Sequence, residues 1–329
     1  MRNLITDVAG VRVGNAQDMT LGSGITAVMF DHAVTGSVDI RGGGPGTRET
    51  ALLDPAQTVE GVDAIVLSGG SAFGLDAASG VQAWLREQGR GFRVREAVVP
   101  IVPAAILFDL LAGGNKDWGR FPPYRELGYA AAQAAGADFF LGTAGAGTGA
   151  TTVSLKGGLG SASARTKSGI TVGAIAAANA AGSMTIGNGP HFWAAAFEEN
   201  GEFGGRGLPS PLPADALVFR SKGAPGTNTT LAVVATDAKL TKAQANRLAV
   251  MAQDGMARAI YPVHTPLDGD VVFTAATGRI DLPDPIYALS ELGMLAANVL
   301  ARAIARSVYE ATALPFAGSM PSWKDRFGR

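Results

Sequence analysis

Short stretches of β-branched or alternating apolar residues, Gly24 to Met29, Ala64 to Leu67, Thr171 to Ala176 and Leu231 to Thr236, are bounded by Gly, Asp or Ser, a pattern that predicts strands. Between them apolar positions recur at helical spacing over Gly74 to Gln88, Pro103 to Ala112, Glu126 to Ala135, Thr241 to Ile260 and Ile286 to Thr312. Thr241 and Gln244 stand at capping-box spacing, and Leu248, Met251, Ala252, Met256, Ala259 and Ile260 share one face of the helix they open. The chain therefore reads as α/β, without a visible (β/α)8 repeat.

One segment breaks the pattern. Asn200 to Asn228 is rich in Gly and Pro, including GGRGLPSPLP and SKGAPGTN, and separates two well-patterned halves. Connections have a median of about 4 to 6 residues, so this one is long, even with a short strand expected over Ala216 to Arg220. It is either a binding loop or a processing site.

Composition narrows the choice of function. The chain has 329 residues, 47% hydrophobic and 17% charged, enough to bury a large core. Its net charge of -1 gives no electrostatic footprint for nucleic acid or an anionic membrane, which points to a small-molecule partner. With no cysteine, disulfides and thiolate catalysis are excluded; His32, His191 and His264 show no metal-ligand spacing, and His191 and His264 read as structural, so no metal or other cofactor is expected. The opening MRNLITDVAGVRVG has no export signal, and no uninterrupted apolar run reaches the roughly 18 residues a bilayer span requires, so the expected location is the cytoplasm.

Directly after the Gly/Pro-rich segment stands Asn228-Thr229-Thr230, opening the strand Leu231 to Thr236. A hydroxyl at the start of a buried strand, behind a Gly-rich segment, is where self-cleavage would expose a new N-terminus. Thr229 Oγ would attack the Asn228 carbonyl, and the freed amine, with a reference pKa of about 7.7 to 8.0, would serve as base for its own hydroxyl. The pattern alone is usually just that of a turn leading into a strand. The same triplet is an N-glycosylation sequon, which the missing export signal argues against. GAGTGATT lacks both the Gly-Lys-Ser/Thr ending and the GxGxxG order of nucleotide loops.

ITDVAGVRVG (Ile5 to Gly14), RGGGPGTRET (Arg41 to Thr50), LSGGSAFGLDAASGV (Leu67 to Val81), GAGTGA (Gly145 to Ala150) and LKGGLGSAS (Leu155 to Ser163) occur in this order. Together they resemble the DmpA-type family of autoprocessing peptidases, which comprises L-aminopeptidase/D-esterases, β-peptidyl aminopeptidases and endo-type nylon-oligomer (6-aminohexanoate-oligomer) hydrolases. NTTLAVVATDAKL (Asn228 to Leu240) and PVHTPLDGDVVF (Pro262 to Phe273) most resemble the last of these.

The resemblance implies an N-terminal-nucleophile αββα sandwich, a single catalytic domain over residues 1–329 cut between Asn228 and Thr229 into two interlocked pieces. It implies Thr229 as nucleophile, with Asp268 and Asp270 fixing its amine and hydroxyl and tuning the amine's pKa. By themselves these aspartates read as a solvated Asp-Gly-Asp turn. Asn179, a lone polar residue in AAANAAG, maps to an oxyanion donor, though it also reads as an Asn closing a strand end. Lys156 maps to a lysine near the nucleophile, and a solvated surface lysine is its plainer reading. The chain departs from the family at Val102 to Asp109. Where aminopeptidases carry PVVAET, with a glutamate for the substrate's free amine, this chain has VPAAILFD. Phe108 stands nearest to a substrate-side tyrosine of the nylon-oligomer hydrolases. The implied activity is hydrolysis of small peptides, amino-acid amides or linear amide oligomers by a homo-oligomer, expected to be a tetramer. The alternatives are an aminopeptidase or D-amino-acid esterase, an acyltransferase using the same nucleophile, and a non-enzymatic binding protein with an uncut chain.

Overall fold

The computed structural model describes residues 1–222 and 228–328. In chain order these form β1 (Val11–Asp18), β2 (Ser23–Ile40), β3 (Thr47–Arg48), β4 (Gly61–Ser68), α1 (Ala77–Glu87), β5 (Phe92–Val94), β6 (Ala97–Val99), β7 (Ala104–Ile106) and α2 (Tyr124–Gln133). There follow β8 (Gly158–Arg165), β9 (Thr171–Asn179), β10 (Thr229–Ala238), α3 (Lys242–Ala259), β11 (Val271–Ile280), α4 (Pro285–Tyr309) and α5 (Trp323–Phe327). The main sheet runs β3-β7-β4-β2-β11-β10-β9-β8, with β1 added to β2, and β5 and β6 form a separate ribbon.

β2 joins two layers. Its first part pairs with β1 and β4, the register with β4 shifts between Met29 and Val34, and residues from Thr35 to Ile40 pair with β11. The sheet thereby folds over itself. Side chains alternate across a strand, so each strand serves two cores. From β10, Leu231, Val233 and Ala235 enter a central core shared with Val28, Phe30, Ile65 and Leu67 of the other layer. Ala232 and Val234 face the opposite way, against Leu248 and Met256 of α3 and Val299 and Leu300 of α4. Ile25, Ala27, Ala64 and Val66 meet Val81 and Leu85 of α1 and Ala131 of α2. The layers are thus helix, sheet, sheet, helix, the αββα sandwich, and each fully buried Leu, Val or Phe contributes about 1.5 to 3 kcal/mol of burial.

α3 forms where the spacing predicts it. Gln244 N–H donates to Thr241 Oγ1 at 3.2 Å and Thr241 N–H to Gln244 Oε1 at 2.9 Å, closing the capping box. Thr241→Ala is expected to cost about 1 kcal/mol, read as a lower urea midpoint with unchanged slope. α4 begins at Pro285 behind the cap Asp284, whose Oδ1 accepts the N–H groups of Ile286 and Tyr287. By length and composition alone α4 would cross a bilayer, although the sequence has no uninterrupted apolar run of that length; its window includes charged residues, and most of it is buried inside the fold.

Two expectations do not hold. Pro103 to Ala112 is not a helix: β7 lies between β3 and β4, and Leu107 N–H extends the ladder to the Ser68 carbonyl at 2.9 Å. A short apolar run has no period of its own, and the open sheet edge at β4 decided its conformation. Ala216 to Arg220 forms no strand; Ala216 and Val218 donate to Pro213 and Asp215 in local turns, and Arg220 clamps Asp215 and Asn188. The Gly/Pro-rich segment is irregular up to Lys222, and the expectations placed on residues 223–227 lie outside the described residues.

Candidate active site

Three chain segments meet at one end of the β9-β10-β11 layer. Thr229, first residue of β10, pairs with Asn179, last residue of β9. Because β10 and β11 are parallel, the loop entering β11, Asp268-Gly269-Asp270, arrives at the same end. Asn228 forms a parallel bridge with Asp268. The RGGGPG stretch wraps this loop from outside: Arg41 and Gly42 N–H groups donate to the Asp270 carbonyl at 3.1 and 3.3 Å, and Gly44 N–H to the Asp268 carbonyl at 2.8 Å. A side chain at Gly42 would stand 2.2 Å from Asp270 N, so that motif is a packing requirement of the site.

Asn228 and Thr229 are both buried. Thr229 Oγ1 donates to the carbonyl oxygen of Asn228, and Gly269 N–H donates to the same oxygen at 2.9 Å. The hydroxyl and a fixed backbone donor thus converge on one peptide carbonyl. A Cβ on Gly269 would lie 2.7 Å from Thr229 Oγ1 and equally close to the Gly44 carbonyl, so only glycine leaves room.

Neither aspartate contacts the Thr229 hydroxyl in this state, where Thr229 N belongs to a peptide and has no amine to offer. Asp270 Oδ1 accepts Thr230 N–H at 2.7 Å; Oδ2 accepts His264 N–H at 3.1 Å and lies 2.9 Å from His264 Nδ1. Asp268 Oδ1 accepts Ala181 N–H at 2.9 Å, and Oδ2 accepts the Thr265 N–H and hydroxyl at 3.1 and 2.5 Å. Burial, followed by the charge of Asp270, raises the pKa of Asp268, and the hydrogen bonds from Thr265 and Ala181 oppose the rise.

Asn179 is buried with its amide oriented. Oδ1 accepts Thr151 N–H and Lys222 Nζ, both at 2.9 Å, and Nδ2 donates to the Phe108 carbonyl at 3.1 Å. Phe108 lines a cleft of about 400 Å³ together with Asp109, Leu111, Thr151, Lys222 and Met320. It meets Asn179 through its backbone.

Lys156 is fully buried, and its Nζ donates to the carbonyls of Gly147, Ala150 and Gly157 at 2.8 to 2.9 Å. It holds neither Thr229 nor a carboxylate here. Burial pulls its pKa down to about 7, although three carbonyl acceptors use all three protons of the ammonium form and favour it. The GAGTGA motif therefore turns carbonyl oxygens toward a cation, the reverse of a phosphate loop.

Two residues escaped the sequence reading. Lys222 stood out only as part of the Gly/Pro-rich segment, yet its Nζ reaches Asn179 and Thr151. Asp109 closes VPAAILFD; it is buried, Oδ2 accepts Ser23 Oγ–H at 2.6 Å and Oδ1 accepts Gly70 N–H at 2.7 Å. Burial raises its pKa above the ordinary carboxylate value. A lone acidic residue ending an apolar run was the available signal. Among the described residues, no group of three or more His, Asp or Glu side chains is placed to hold a metal ion.

The fold resembles solved structures over nearly the whole chain. A β-aminopeptidase of Burkholderia sp. superposes with a TM-score of 0.72 at 21% identity, covering 99% of this chain and 92% of the other. An L-aminopeptidase D-Ala-esterase/amidase of Ochrobactrum anthropi, described as a variant of the Ntn hydrolase fold, gives 0.73 at 20% identity with the same coverage, 99% and 92%. In sequence, an uncharacterized aminopeptidase of Mycobacterium bovis is 45% identical, covering 99% of this chain and 98% of the relative. A 6-aminohexanoate-oligomer endohydrolase of Kocuria sp. is 29% identical over 84% of this chain and 76% of that protein. The model of peptidase family S58 matches residues 3–320. The chain belongs to peptidase family S58 and is an amide-bond hydrolase of the DmpA type.

Proposed function

We propose that the chain cuts itself between Asn228 and Thr229 and then hydrolyses amide bonds of small substrates with Thr229 as an N-terminal nucleophile. The observation that carries this reading is the convergence of Thr229 Oγ1 and Gly269 N–H on the Asn228 carbonyl oxygen. In the first step Thr229 Oγ attacks the Asn228 carbonyl carbon, and Gly269 N–H stabilises the negative oxygen that forms. The C–N bond breaks, nitrogen takes a proton to leave as an amine, and the Asn228 acyl group rests on Oγ as an ester. Water hydrolyses the ester, leaving a carboxylate on Asn228 and a free amine and hydroxyl on Thr229. The amine then takes the hydroxyl proton as Thr229 attacks a substrate amide, and a second ester forms and is hydrolysed. Asn179 Nδ2 is the side-chain donor that the family resemblance suggests for that second oxyanion.

The pieces 1–228 and 229–329 remain joined in this reading. β10 is the middle of a sheet built from both, and Arg302 of α4 binds Glu202 Oε1 at 2.5 Å and Asn3 Oδ1 at 2.9 Å. A homotetramer is the assembly the family resemblance suggests, and light scattering would size it.

The 400 Å³ cleft borders the site through Thr151 and Lys222, which hold Asn179, while Thr229 is not among its lining residues; its size suits a small peptide, an amino-acid amide or one end of a linear amide oligomer. An aminopeptidase is the second reading, favoured by the name of the 45% identical relative. Leucine amide against its N-acetylated form separates the two: loss of activity on acetylation supports the aminopeptidase, and retained activity supports hydrolysis indifferent to the amine. Trapping with hydroxylamine separates hydrolysis from acyl transfer.

Self-cleavage should also depend on pH in a defined direction. Asp268 in its carboxylate form accepts three donors, whereas protonation would place a fourth proton among them. Since its pKa is raised, that form appears at higher pH than for an isolated aspartate. The rate of piece formation is expected to climb with pH above the ordinary carboxylate range, and Asp268→Asn to abolish that limb. A wild-type rate flat across this range would contradict the role given to Asp268.

A further inference from the structure

Lys222 takes no part in these steps, yet its surroundings are built. It precedes Asn228 by 6 residues; its N–H donates to the Ala181 carbonyl at 3.0 Å, and its carbonyl accepts Asn228 Nδ2 at 2.9 Å. Nζ lies among four oxygens: the Thr151 carbonyl at 2.7 Å, Thr151 Oγ1 at 3.0 Å, Asn179 Oδ1 at 2.9 Å and the Asn179 carbonyl at 3.3 Å. Burial draws its pKa down to about 7, opposed by the charges of Asp268 and Asp109.

The consequence falls on Asn179. A primary amide has two ends of nearly equal shape, and its neighbours decide which end points where. An ammonium offers only donors. With Thr151 N–H and Lys222 Nζ both directed at one end, that end must be Oδ1, and Nδ2 is turned to the Phe108 carbonyl. The cation on Oδ1 also polarises the amide, which makes the Nδ2 protons better donors.

We propose that Lys222 is a positioning residue for amide hydrolysis, its ammonium fixing the Asn179 amide with Nδ2 away from Oδ1's partners and toward the Phe108 carbonyl, so that Lys222 remains part of the working site after the chain is cut. The inference rests on the reading of Asn179 as the oxyanion donor. It explains why a charged residue of a Gly/Pro-rich segment is tied by two contacts to the strand end Asn179 and by two to Thr151.

The test compares Lys222→Met, Asn179→Ala and the double variant in self-cleavage and in steady-state hydrolysis. A lost oxyanion donor lowers kcat by about 10²- to 10³-fold. Lys222→Met is expected to lower kcat by about 10- to 100-fold with KM within about threefold, and the double variant to be no slower than Asn179→Ala, because both changes remove one donor. Lys222→Arg retains the cation and is expected to keep most of kcat, which preserves the test should Lys222→Met not fold. Propylamine added to Lys222→Ala is expected to restore part of the lost kcat and to leave the wild type unchanged, a response that a merely structural lysine would not give. Losses that multiply in the double variant, a Lys222→Met enzyme with wild-type kcat, or an effect on KM alone would overturn the inference. If the wild type is uncut and Thr229→Ala is active, the proposed function itself fails. If the wild type is cut, Thr229→Ala is dead and Lys222→Met is normal, only the role of Lys222 fails.

Discussion

Thr229→Ala should remain a single chain and lose about 10⁴- to 10⁶-fold in kcat for amide hydrolysis, the loss seen when a covalent nucleophile is removed. The side chain lost is small and its surroundings stay packed: β10 keeps Leu231, Val233 and Ala235 in the central core and its pairing to β9 and β11. Circular dichroism and the urea midpoint should therefore match the uncut protein. Thr229→Ser retains the hydroxyl and should cut and turn over at a reduced rate. A Thr229→Ala protein with wild-type kcat would place the nucleophile elsewhere.

The second large effect is at a residue with no side chain. Gly269→Ala puts a methyl group 2.7 Å from both Thr229 Oγ1 and the Gly44 carbonyl. Either the hydroxyl or the RGGGPG loop must yield, and either movement draws the Gly269 N–H away from the Asn228 oxygen. Loss of one fixed oxyanion donor is worth about 10²- to 10³-fold, so the half-time of self-cleavage should lengthen by about that factor, followed as the decay of full-length chain on denaturing gels. Cutting at the wild-type rate would show that the Gly269 N–H does not serve the reaction.

Parts of this arrangement could be read from the residues alone. The alternation over Leu231 to Thr236 and the capping box at Thr241 give β10 and α3 because both depend on local periodicity and on side chains three residues apart. Five glycine-rich motifs in order gave the family and with it the αββα layers, which no single strand pattern implies. VPAAILFD was misread because its conformation is set by β4 and β3 on either side, contacts that are distant in sequence. The burial of Lys156 and Lys222 was illegible for a related reason: a lysine is buried only when backbone carbonyls or amide oxygens converge on it, and here they come from Gly147, Ala150, Thr151 and Asn179. Asp268 and Asp270 were located by resemblance. Their immediate partners, Ala181, Thr265, Thr230 and His264, required the fold.

His264 illustrates how the same residue reads differently once placed. As one of three scattered histidines it suggested only structure. In the fold it bonds Asp270 through both its N–H and its ring, and Asp270 in turn holds the backbone next to Thr229. The site is supported behind the nucleophile by groups that have no contact with the nucleophile's hydroxyl.

The central claim, that this chain makes its own nucleophile, is tested most directly by the intact mass of the purified wild-type protein under denaturing conditions. The account predicts two pieces that meet between Asn228 and Thr229 and sum to the 33.5 kDa chain plus one water. A single 33.5 kDa wild-type chain that hydrolyses amides would contradict it.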